Sequence, residues 1–507
     1  MVENELTSVG ELLRRRVDAA PDKIFLSSTE DGRRFTYAEF DAAVNRTVRL
    51  LAANGIGKGE TVSLLMPNSV EYVVAYFACF KLGAVAGPVN SLLKHSEMVY
   101  VIANSDSKAL LVGSDFAAAV EGLEDEIPSL DAIIEFDSVE TATANFSGSA
   151  DKLPVGPVAA DDAAIIIYTS GTTGKPKGCV LTHTNLLANA RQISDWLSFT
   201  EDDRLLTVMP LFHMNAVSVT TLAPLYAGGA TVVSPKFSAT RFWQIVSDYQ
   251  ITTFGSVATM LSMLLQKYPD GVPPGLHSEQ LRFAMCGSAP VPAEVMRQFE
   301  GKFNCLVVEG YGLSESTCRS TFNPPDRTRK PGSCGLPIGN ELRIVDDNDV
   351  DVPEGERGEI VLRGENIFKE YFRNPDATAT AFRGGWFHTG DVAYRDADGF
   401  VFIVDRKSDM IIRGGENIYP REIDEVLYQN PAVAAAAAIG VPDQLYGEEV
   451  AAFVVLKEGA AATEIEIMEF CRARLADYKC PKSVRFVKEI PKGPTGKLLK
   501  RELAKMV

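Results

Sequence analysis

The most constraining feature of this sequence is the alternation of helix and strand signals through its first third. Thr36 with Glu39 forms a capping-box pattern ahead of an apolar 3.6-residue periodicity. Residues 62–66 then have the composition of a short strand, and Asn68 with Glu71 indicates the start of another helix. Such alternation predicts an α/β fold in which helices cover parallel sheets.

The rest of the chain divides into differently patterned stretches, and 507 residues are too many for one hydrophobic core. From Gly339 onward, short alternating segments are separated by Gly, Asp and Pro, which predicts antiparallel structure in a small β-barrel-like part. The tail after Asp405 mixes helix and strand patterns and has the size of a small α+β domain. We therefore expect a large N-terminal domain over residues 1–405 and a C-terminal domain over residues 406–507.

Composition excludes several classes of protein. The formal net charge of −17 argues against nucleic acid as a main partner. The eight cysteines and five histidines show no zinc-binding spacing. The N-terminus lacks the basic and apolar regions of a signal peptide, and no run of about eighteen apolar residues predicts a membrane span. We expect a cytoplasmic protein with no stable membrane insertion.

Residues 168–178 carry the strongest chemical signal. They read Tyr-Thr-Ser-Gly-Thr-Thr-Gly-Lys-Pro-Lys-Gly and directly follow the apolar run of residues 163–167. Glycine backbone, hydroxyl groups and ammonium groups after a strand can surround a polyphosphate. The segment lacks the Gly-x-x-x-x-Gly-Lys-Ser/Thr pattern of a Walker loop, so it predicts a phosphate-binding loop of another kind.

This loop resembles the nucleotide-binding loop of the acyl-adenylate-forming enzymes, which include acyl-CoA synthetases, peptide-synthetase adenylation domains and luciferases. Further segments match that superfamily in order along the chain, and the resemblance extends over residues 12–503. Each segment alone is weak, but their order is specific. They are Gly-Tyr-Gly-Leu-Ser-Glu at 310–315, Thr-Gly-Asp at 389–391, Arg-Gly-Gly-Glu-Asn-Ile-Tyr-Pro at 413–420 and Pro-Lys-Gly-Pro-Thr-Gly-Lys at 491–497.

The resemblance implies roles for particular residues. Glu315 would bind Mg²⁺, and Lys497 and Lys177 would act on the phosphates of ATP. Asp391 and Arg406 would bind the ribose. The implied nucleotide- and CoA-contacting positions are Thr169, Ser170, Gly171, Thr172, Thr173, Gly174, Gly287, Ser288, Ala289, Gly310, Tyr311, Gly312, Leu313, Ser314, Asp391, Arg406, Gly414, Gly415 and Glu416.

The implied activity is that of an AMP-forming acid–thiol ligase. A carboxylic acid would attack the α-phosphate of ATP to give an acyl-adenylate and pyrophosphate, and CoA would then take the acyl group and release AMP. In this superfamily a mobile C-terminal domain moves between the two half-reactions. The hinge is expected at residues 405–408, where Ser408 replaces the usual Asp or Lys.

The acid is expected to be larger than acetate. Its pocket is expected between three segments, residues 212–215, 255–263 and 310–312. His213, Met214 and Gly312 would line it, although His213 is nearly as well explained as a packed core histidine. Acetyl-type members of the superfamily carry a tryptophan where Gly312 stands, so a glycine suggests a longer pocket. These points predict a medium- or long-chain fatty acid or an aromatic acid, and hence a role in fatty acid metabolism.

Other functions stay open. An enzyme that adenylates an amino acid or aryl acid and loads a carrier protein is the main alternative. His213, however, stands where such enzymes usually place an aspartate for the substrate ammonium group. A luciferase-like oxygenase would need only the first step. Lys497, Glu315 and Asp391 argue against a nucleotide-binding protein without catalysis. Whether the protein is a monomer or a homodimer is also left open.

Overall fold

A computed structural model describes residues 6–146, 153, 155–169, 176–287, 291–407, 409–414, 416–491 and 498–506. The chain forms two compact units. The first comprises Met1–Glu341 with Arg363–Phe387, and the second comprises Leu342–Leu362 with His388–Val507.

Strands and helices alternate along the chain. The strands are β1 (Ile24–Ser28), β2 (Arg34–Thr36), β3 (Thr61–Leu65), β4 (Val85–Pro88), β5 (Ser107–Val112), β6 (Ala132–Glu135), β7 (Ala163–Thr169), β8 (Lys177–Thr182), β9 (Arg204–Thr207), β10 (Ala230–Val233), β11 (Thr253–Ser256), β12 (Phe283–Cys286), β13 (Leu306–Tyr311), β14 (Thr321–Phe322), β15 (Leu336–Pro337), β16 (Glu341–Val345), β17 (Gly358–Arg363), β18 (Glu370–Tyr371), β19 (Phe387–Arg395), β20 (Val401–Arg406), β21 (Ile411–Arg413), β22 (Glu416–Ile418), β23 (Val433–Asp443), β24 (Gly447–Leu456) and β25 (Ser483–Phe486). The helices are α1 (Val9–Ala19), α2 (Tyr37–Ala53), α3 (Val70–Leu82), α4 (His95–Asn104), α5 (Ala117–Val120), α6 (Leu123–Glu126), α7 (Val139–Ala142), α8 (His183–Trp196), α9 (Ala223–Ala227), α10 (Phe242–Asp248), α11 (Ala258–Lys267), α12 (Ala293–Phe303), α13 (Pro375–Ala381), α14 (Pro420–Tyr428), α15 (Glu464–Arg472) and α16 (Lys500–Ala504). None of the described helices is both long enough and apolar enough to cross a bilayer.

The first unit contains two large sheets that are mainly parallel, as predicted. One follows the order β15-β14-β13-β12-β11-β9-β10-β1-β2 and the other the order β18-β8-β7-β4-β3-β5-β6. Antiparallel strands extend them at their edges: β2, β14 and β15 in the first sheet, and β8 and β18 in the second. The parallel pairs bring the carboxyl ends of β9, β11, β12 and β13 to one edge of the first sheet.

Helix starts follow local sequence closely. The capping box at Thr36 and Glu39 is confirmed, since Glu39 N donates to Thr36 Oγ1 at 3.1 Å and Thr36 N donates to Glu39 Oε2 at 2.8 Å. Helix α3 is capped by Ser69, one residue later than the predicted Asn68. Asn68 is buried, and its Oδ1 accepts a hydrogen bond from the backbone N–H of Leu211 at 2.7 Å. That tertiary contact could not be read from the local pattern.

An aromatic cluster fixes α2 and α3 against β1. The Phe25 ring lies 5.1 Å from Tyr37 and 5.0 Å from Phe40, and Phe77 lies 5.1 Å from Phe40. All of these side chains are buried. Truncating one such ring to alanine typically costs about 3–5 kcal/mol, so this cluster is a main support of the first unit.

The second unit combines two smaller sheets. The part expected to be barrel-like is a four-stranded sheet in the order β16-β17-β19-β20. The tail forms a sheet in the order β22-β21-β24-β23, and β25 pairs with β24. The alanine tract lies in β23, where Ala436 and Ala438 are fully buried and pack with Ile423 and Leu427 of α14. Small side chains there let helix and sheet approach closely.

The four-stranded sheet belongs with the tail in one compact unit. Tyr419 packs against Val392 and Val404, and the backbone N–H of Arg421 donates to Asp405 Oδ2 at 2.9 Å. The predicted division between residues 405 and 406 therefore falls inside the second unit. Local sequence could not indicate these contacts because they join separate elements and not neighbouring residues of one helix or strand. A hinge at this position stays a prediction.

Candidate functional site

A β-hairpin holds the predicted phosphate loop. Strands β7 and β8 are antiparallel and pair Thr169 with Lys177, so the loop begins and ends on neighbouring strands. A Walker loop instead runs from a strand into a helix, and its phosphates face the helix N-terminus. The loop positions Ser170, Gly171, Thr172, Thr173 and Gly174 lie outside the described residues, as do Ser288, Ala289, Ser408, Gly415 and Lys497.

A buried carboxylate lies beside this hairpin. Glu315 is 8% exposed and belongs to the 3₁₀ turn Ser314–Ser316, just after β13. Its Oε1 accepts hydrogen bonds from Tyr371 Oη at 3.0 Å and from Thr169 Oγ1 at 3.4 Å. Lys177 Nζ lies 5.0 Å from the centre of the Tyr371 ring. The structure thus brings together three predicted site residues around Tyr371, which the sequence analysis missed.

The phenol of Tyr371 is a fixed donor. Burial and the neighbouring Glu315 carboxylate both raise the pKa of Tyr371, so it keeps its proton and donates to Glu315. A single carboxylate oriented in this way fits Mg²⁺, which usually takes one or two carboxylates together with waters and substrate phosphates. Within the described part of the chain no group of three His, Cys, Asp or Glu side chains could hold a metal. Glu315, oriented by Tyr371 and Thr169, could hold Mg²⁺ together with the phosphates of ATP.

The turn that carries Glu315 is strained and firmly held. Thr317 has φ 65°, which is unfavourable for a β-branched residue. Its Oγ1 donates to Asn366 O at 2.7 Å, and Asn366 Nδ2 donates to Ser316 O at 3.3 Å. Phe368 N also donates to Glu315 O at 2.8 Å. The segment before β18 thereby fixes the position of the carboxylate.

The predicted motif at residues 310–315 is continuous in space. Tyr311 is half-buried at the end of β13, and Leu313 N donates to Ser316 Oγ at 3.2 Å as the turn begins. Gly312 has a backbone role of its own, because an added Cβ would lie 1.9 Å from Cys318 O. The local backbone therefore requires a glycine here whatever acid is bound. For this reason Gly312 gives only weak support for a longer acid pocket.

Glycines open one face of the first sheet at its carboxyl edge. The registers of β11, β12 and β13 place Gly255 and Gly310 on the same face of the sheet. Gly287 lies two residues after Met285, the partner of Gly255, and therefore belongs to that face as well. We call this the glycine face. The atoms nearest to an added Cβ are Asn215 Oδ1 at Gly255 (2.9 Å), Arg319 Nη1 at Gly287 (2.6 Å) and Phe322 Cδ1 at Gly310 (2.6 Å).

Several buried polar atoms lie at this edge of the sheet. Among the described residues, Arg319 Nε and Nη2, Asn215 Oδ1, Ser320 Oγ and His213 Nε2 are buried without a hydrogen bond. His213 follows β9, its ring 4.6 Å from that of Phe212, and burial lowers its pKa to about 4. The predicted pocket residue Met214 is buried beside it. Arg319 was missed by sequence analysis, although it is the only charged residue between Glu315 and Asp326.

The predicted ribose ligands are neighbours in the second unit. Asp391 and Arg406 pair across β19 and β20, with Arg406 Nε 3.2 Å from Asp391 Oδ1. Gly390 turns the backbone with φ 72°, and its N–H donates to Glu359 Oε1 at 3.0 Å. The Thr-Gly-Asp segment therefore presents a carboxylate that is oriented by an adjacent guanidinium.

The remaining predicted positions lie on the hairpin of β21 and β22. Gly414 has φ 60°, and its N–H donates to Tyr446 O at 2.8 Å. Glu416 is exposed and pairs with Arg413, whose guanidinium lies 4.0 Å from the centre of the Tyr446 ring. Arg413 Nε also contacts Glu449 at 2.6 Å. These contacts give the exposed turn a firm base.

Parallel sheets with a loop-bearing hairpin and a buried carboxylate at the strand ends define a nucleotide-binding α/β enzyme. Comparison with known proteins identifies the family. Residues 13–372 match the family model of the AMP-binding enzymes, and residues 422–497 match that of the AMP-binding enzyme C-terminal domain. The chain belongs to the AMP-binding enzyme family.

Its relatives are CoA ligases. A sulfoacetate–CoA ligase of Cupriavidus necator is 37% identical over 502 residues, covering 98% of this chain and 97% of that protein. A long-chain-fatty-acid–CoA ligase of Mycobacterium tuberculosis is 35% identical over 501 residues, covering 98% of each. The crystal structure of ATP-bound MatB from Rhodopseudomonas palustris matches with a TM-score of 0.90 at 32% identity over 99% of each chain.

These comparisons confirm the predicted superfamily, fold class and enzyme class. The protein is an AMP-forming acid–CoA ligase that acts through an acyl-adenylate, with ATP and CoA as substrates. Its matched relatives are named as CoA ligases, which favours CoA over a carrier protein as the acyl acceptor.

Proposed function

We propose that this ligase activates a carboxylic acid larger than acetate, with Mg²⁺ bound at Glu315. The observation that carries the metal assignment is the Glu315 carboxylate, which Tyr371 and Thr169 orient beside the hairpin of the phosphate loop. Bound Mg²⁺ would neutralise charge on the phosphates as pyrophosphate leaves. Two of the matched relatives are named for acids larger than acetate, which supports the size of the acid but not one chemical class.

The first half-reaction is assigned to cations and hydroxyl groups. Negative charge builds on the phosphate oxygens when the acid attacks, so fixed donors that point at those oxygens lower the barrier. We assign Lys497 to the α-phosphate and Lys177, with the loop hydroxyls, to the β- and γ-phosphates. Asp391 and Arg406 would hold the ribose, because a carboxylate accepts hydrogen bonds from both ribose hydroxyls.

The second half-reaction is assigned to the turn at residues 414–416. The acyl-adenylate must be kept from water until the CoA thiol attacks. A domain movement that withdraws Lys497 and presents this turn would separate the two steps. Such a movement needs the predicted hinge near residue 405.

Separate assays of the two half-reactions test this assignment. Lys497→Ala should slow adenylation, measured as ATP–pyrophosphate exchange, by about 100- to 1,000-fold, because it removes a cation from the transition state. Thioester formation from supplied acyl-adenylate should change by less than about 5-fold. Lys505→Ala is the matched control, since Lys505 is exposed and pairs with Glu502. Equal losses in both half-reactions would contradict the role of Lys497.

The cellular setting is also a proposal. All eight cysteines are free thiols, which supports a reducing compartment such as the cytoplasm. A homodimer stays a prediction that sedimentation equilibrium would decide.

A further inference from the structure

Arg319 is a buried cation whose hydrogen bonds are incomplete. Its side chain is 3% exposed, and Nε and Nη2 have no partner among the described residues. The guanidinium lies over the Phe322 ring, 5.1 Å from its centre. The face of an aromatic ring attracts the charge of the guanidinium, but it offers no hydrogen-bond acceptor to the N–H groups, which lie in the plane of the guanidinium. The site therefore lacks an acceptor for a fixed and permanently charged donor.

The nearby carboxylates are already engaged elsewhere. Glu309 pairs with Cys286 in the sheet register, so it points to the face opposite Gly310. Its two oxygens accept from Val291 N at 3.2 Å and from Gly332 N at 3.0 Å. Glu315 is bonded to Tyr371 and Thr169, as described above. Among the residues that the structure describes, neither carboxylate accepts a hydrogen bond from Arg319 Nε or Nη2.

Arg319 lies where the acid is expected. The segments predicted to line the acid pocket meet at the glycine face, since Asn215 of one segment contacts Gly255 of another. The guanidinium packs on Gly287 of the same face, at a position where any side chain would displace it. His213 stays uncharged at neutral pH because burial lowers its pKa to about 4, so Arg319 supplies the positive charge among these residues.

A buried charge without a partner is costly, and an anion that accepts from two of its N–H groups removes that cost. A fatty acid tail or an unsubstituted aromatic ring in the same place would leave the guanidinium unpaired. The carboxylate that reacts with ATP cannot be that partner throughout, because its oxygen attacks the α-phosphate, pyrophosphate leaves, and the carboxyl group loses its charge in the mixed anhydride with AMP.

We propose that the acid carries a second anionic group, a carboxylate or a sulfonate, and that Arg319 binds this group and determines acid specificity. The inference rests on the proposed acid activation and narrows its substrate from fatty or aromatic acids in general to acids that carry a second anionic group.

A panel of matched acids tests this with the wild-type enzyme. Each dianionic acid is paired with a monoanionic acid of similar size: malonate with butyrate, succinate with pentanoate, and sulfoacetate with 3,3-dimethylbutyrate. Octanoate and benzoate represent the fatty and aromatic classes. At least one dianionic acid should exceed its partner by about 100-fold or more in kcat/KM for AMP release. Comparing malonate and succinate with sulfoacetate shows whether the second anionic group is a carboxylate or a sulfonate.

Substitutions then connect the preference to one residue. Arg319→Met should lower kcat/KM for the preferred dianionic acid by about 100-fold or more and leave its monoanionic partner within about 5-fold. Arg319→Lys should retain part of the preference, because it keeps the charge but loses the planar pair of donors. Arg191→Met is the control, since Arg191 is half exposed and pairs with Glu365. KM for ATP should be unchanged in all three variants.

The outcomes separate this inference from the proposed function. If no acid supports AMP release, acid activation itself fails. If octanoate or benzoate is the best substrate, or if Arg319→Met lowers all acids equally, acid activation stands and the role of Arg319 is overturned. Should Arg319→Met not fold, the wild-type panel decides: a preference for dianionic acids below about 10-fold overturns the inference.

Discussion

Glu315 and Arg319 are four residues apart and show two opposite ways of placing a buried charge. Glu315 is 8% exposed and Arg319 is 3% exposed. Glu315 accepts hydrogen bonds from two hydroxyl groups, whereas Arg319 has N–H groups without a partner in the described part of the chain. The carboxylate is thus oriented by the protein before any ligand binds, while the guanidinium is left for a ligand to complete.

The difference corresponds to two tasks. A group that serves the chemistry common to all substrates of an enzyme benefits from preorganisation, because its geometry need not vary. A group that distinguishes one acid from another can use the free-energy cost of a buried, unpaired charge. Only the correct acid pairs with the charge and removes that cost, so every other acid binds less well. Changes at Glu315 should therefore affect the reaction with every acid, and changes at Arg319 should affect only some acids.

The largest effect is expected at the oriented carboxylate. Glu315→Gln keeps the size of the side chain but removes its charge, so adenylation should fall by about 1,000-fold, or about 4 kcal/mol, with every acid tested. The measurement is ATP–pyrophosphate exchange as a function of Mg²⁺ concentration. Glu341→Gln is the control, because Glu341 is exposed and pairs with Arg363. An unchanged dependence on Mg²⁺ would remove Glu315 from the metal site.

The next effect concerns the histidines. Burial lowers the pKa of both His213 and His183 to about 4. The unfolded chain, with a histidine pKa of about 6.5, binds protons first as the pH falls, so the contribution of these two histidines to the free energy of unfolding should be constant above pH ~6.5 and decrease from there to pH ~4. Burial raises the pKa of Asp424 to about 6, so this carboxyl group contributes with the opposite sign over part of that range. The loss should reach up to about 3 kcal/mol for each histidine.

Urea unfolding at a series of pH values measures this loss. His213→Gln should remove the part of the pH dependence that belongs to His213 and leave the parts that belong to His183 and Asp424. If the variant keeps the full dependence, His213 titrates normally in the folded protein. It would then supply a second cation near the glycine face at mildly acidic pH, and the contrast between Arg319 and its neighbours would weaken.

Local patterns predicted much of the fold and part of the site. The capping box at Thr36 and the alternation of helices and strands depend on neighbouring residues, and both are present in the structure. The motif at residues 310–315 was recognisable because its members are consecutive. In each case the information lies within a few turns or one strand of the chain.

The remaining features depend on contacts between distant residues. Tyr371 bonds to Glu315 across 56 residues, and no spacing in the sequence indicates that pair. Cys318 O lies so close to Gly312 that the backbone leaves no room for a side chain there. The resemblance to family members with tryptophan at this position did not reveal this requirement. The grouping of Leu342–Leu362 with the tail likewise depends on packing. Of these features, only Arg319 was recognisable in the sequence, because it is a single charged residue in an otherwise neutral segment. The sequence did not indicate that its side chain is buried.

The smallest effect, and the sharpest test of the contrast, is expected at Gly287. An added Cβ would lie 2.6 Å from Arg319 Nη1 and 2.7 Å from Nη2, so Gly287→Ala must displace the guanidinium. Because these atoms end a flexible side chain, the free energy of unfolding should change by less than about 1 kcal/mol. KM for the preferred acid should rise about 10-fold, and by clearly more than KM for ATP, although Gly287 is also an expected nucleotide contact. Gly301→Ala, where an added Cβ meets nothing within 4 Å, is the control. If Gly287→Ala raises KM for ATP and KM for the acid equally, the guanidinium lies in a region that both substrates share. Arg319 would then serve the reaction with every acid, as Glu315 does, and would not select between acids.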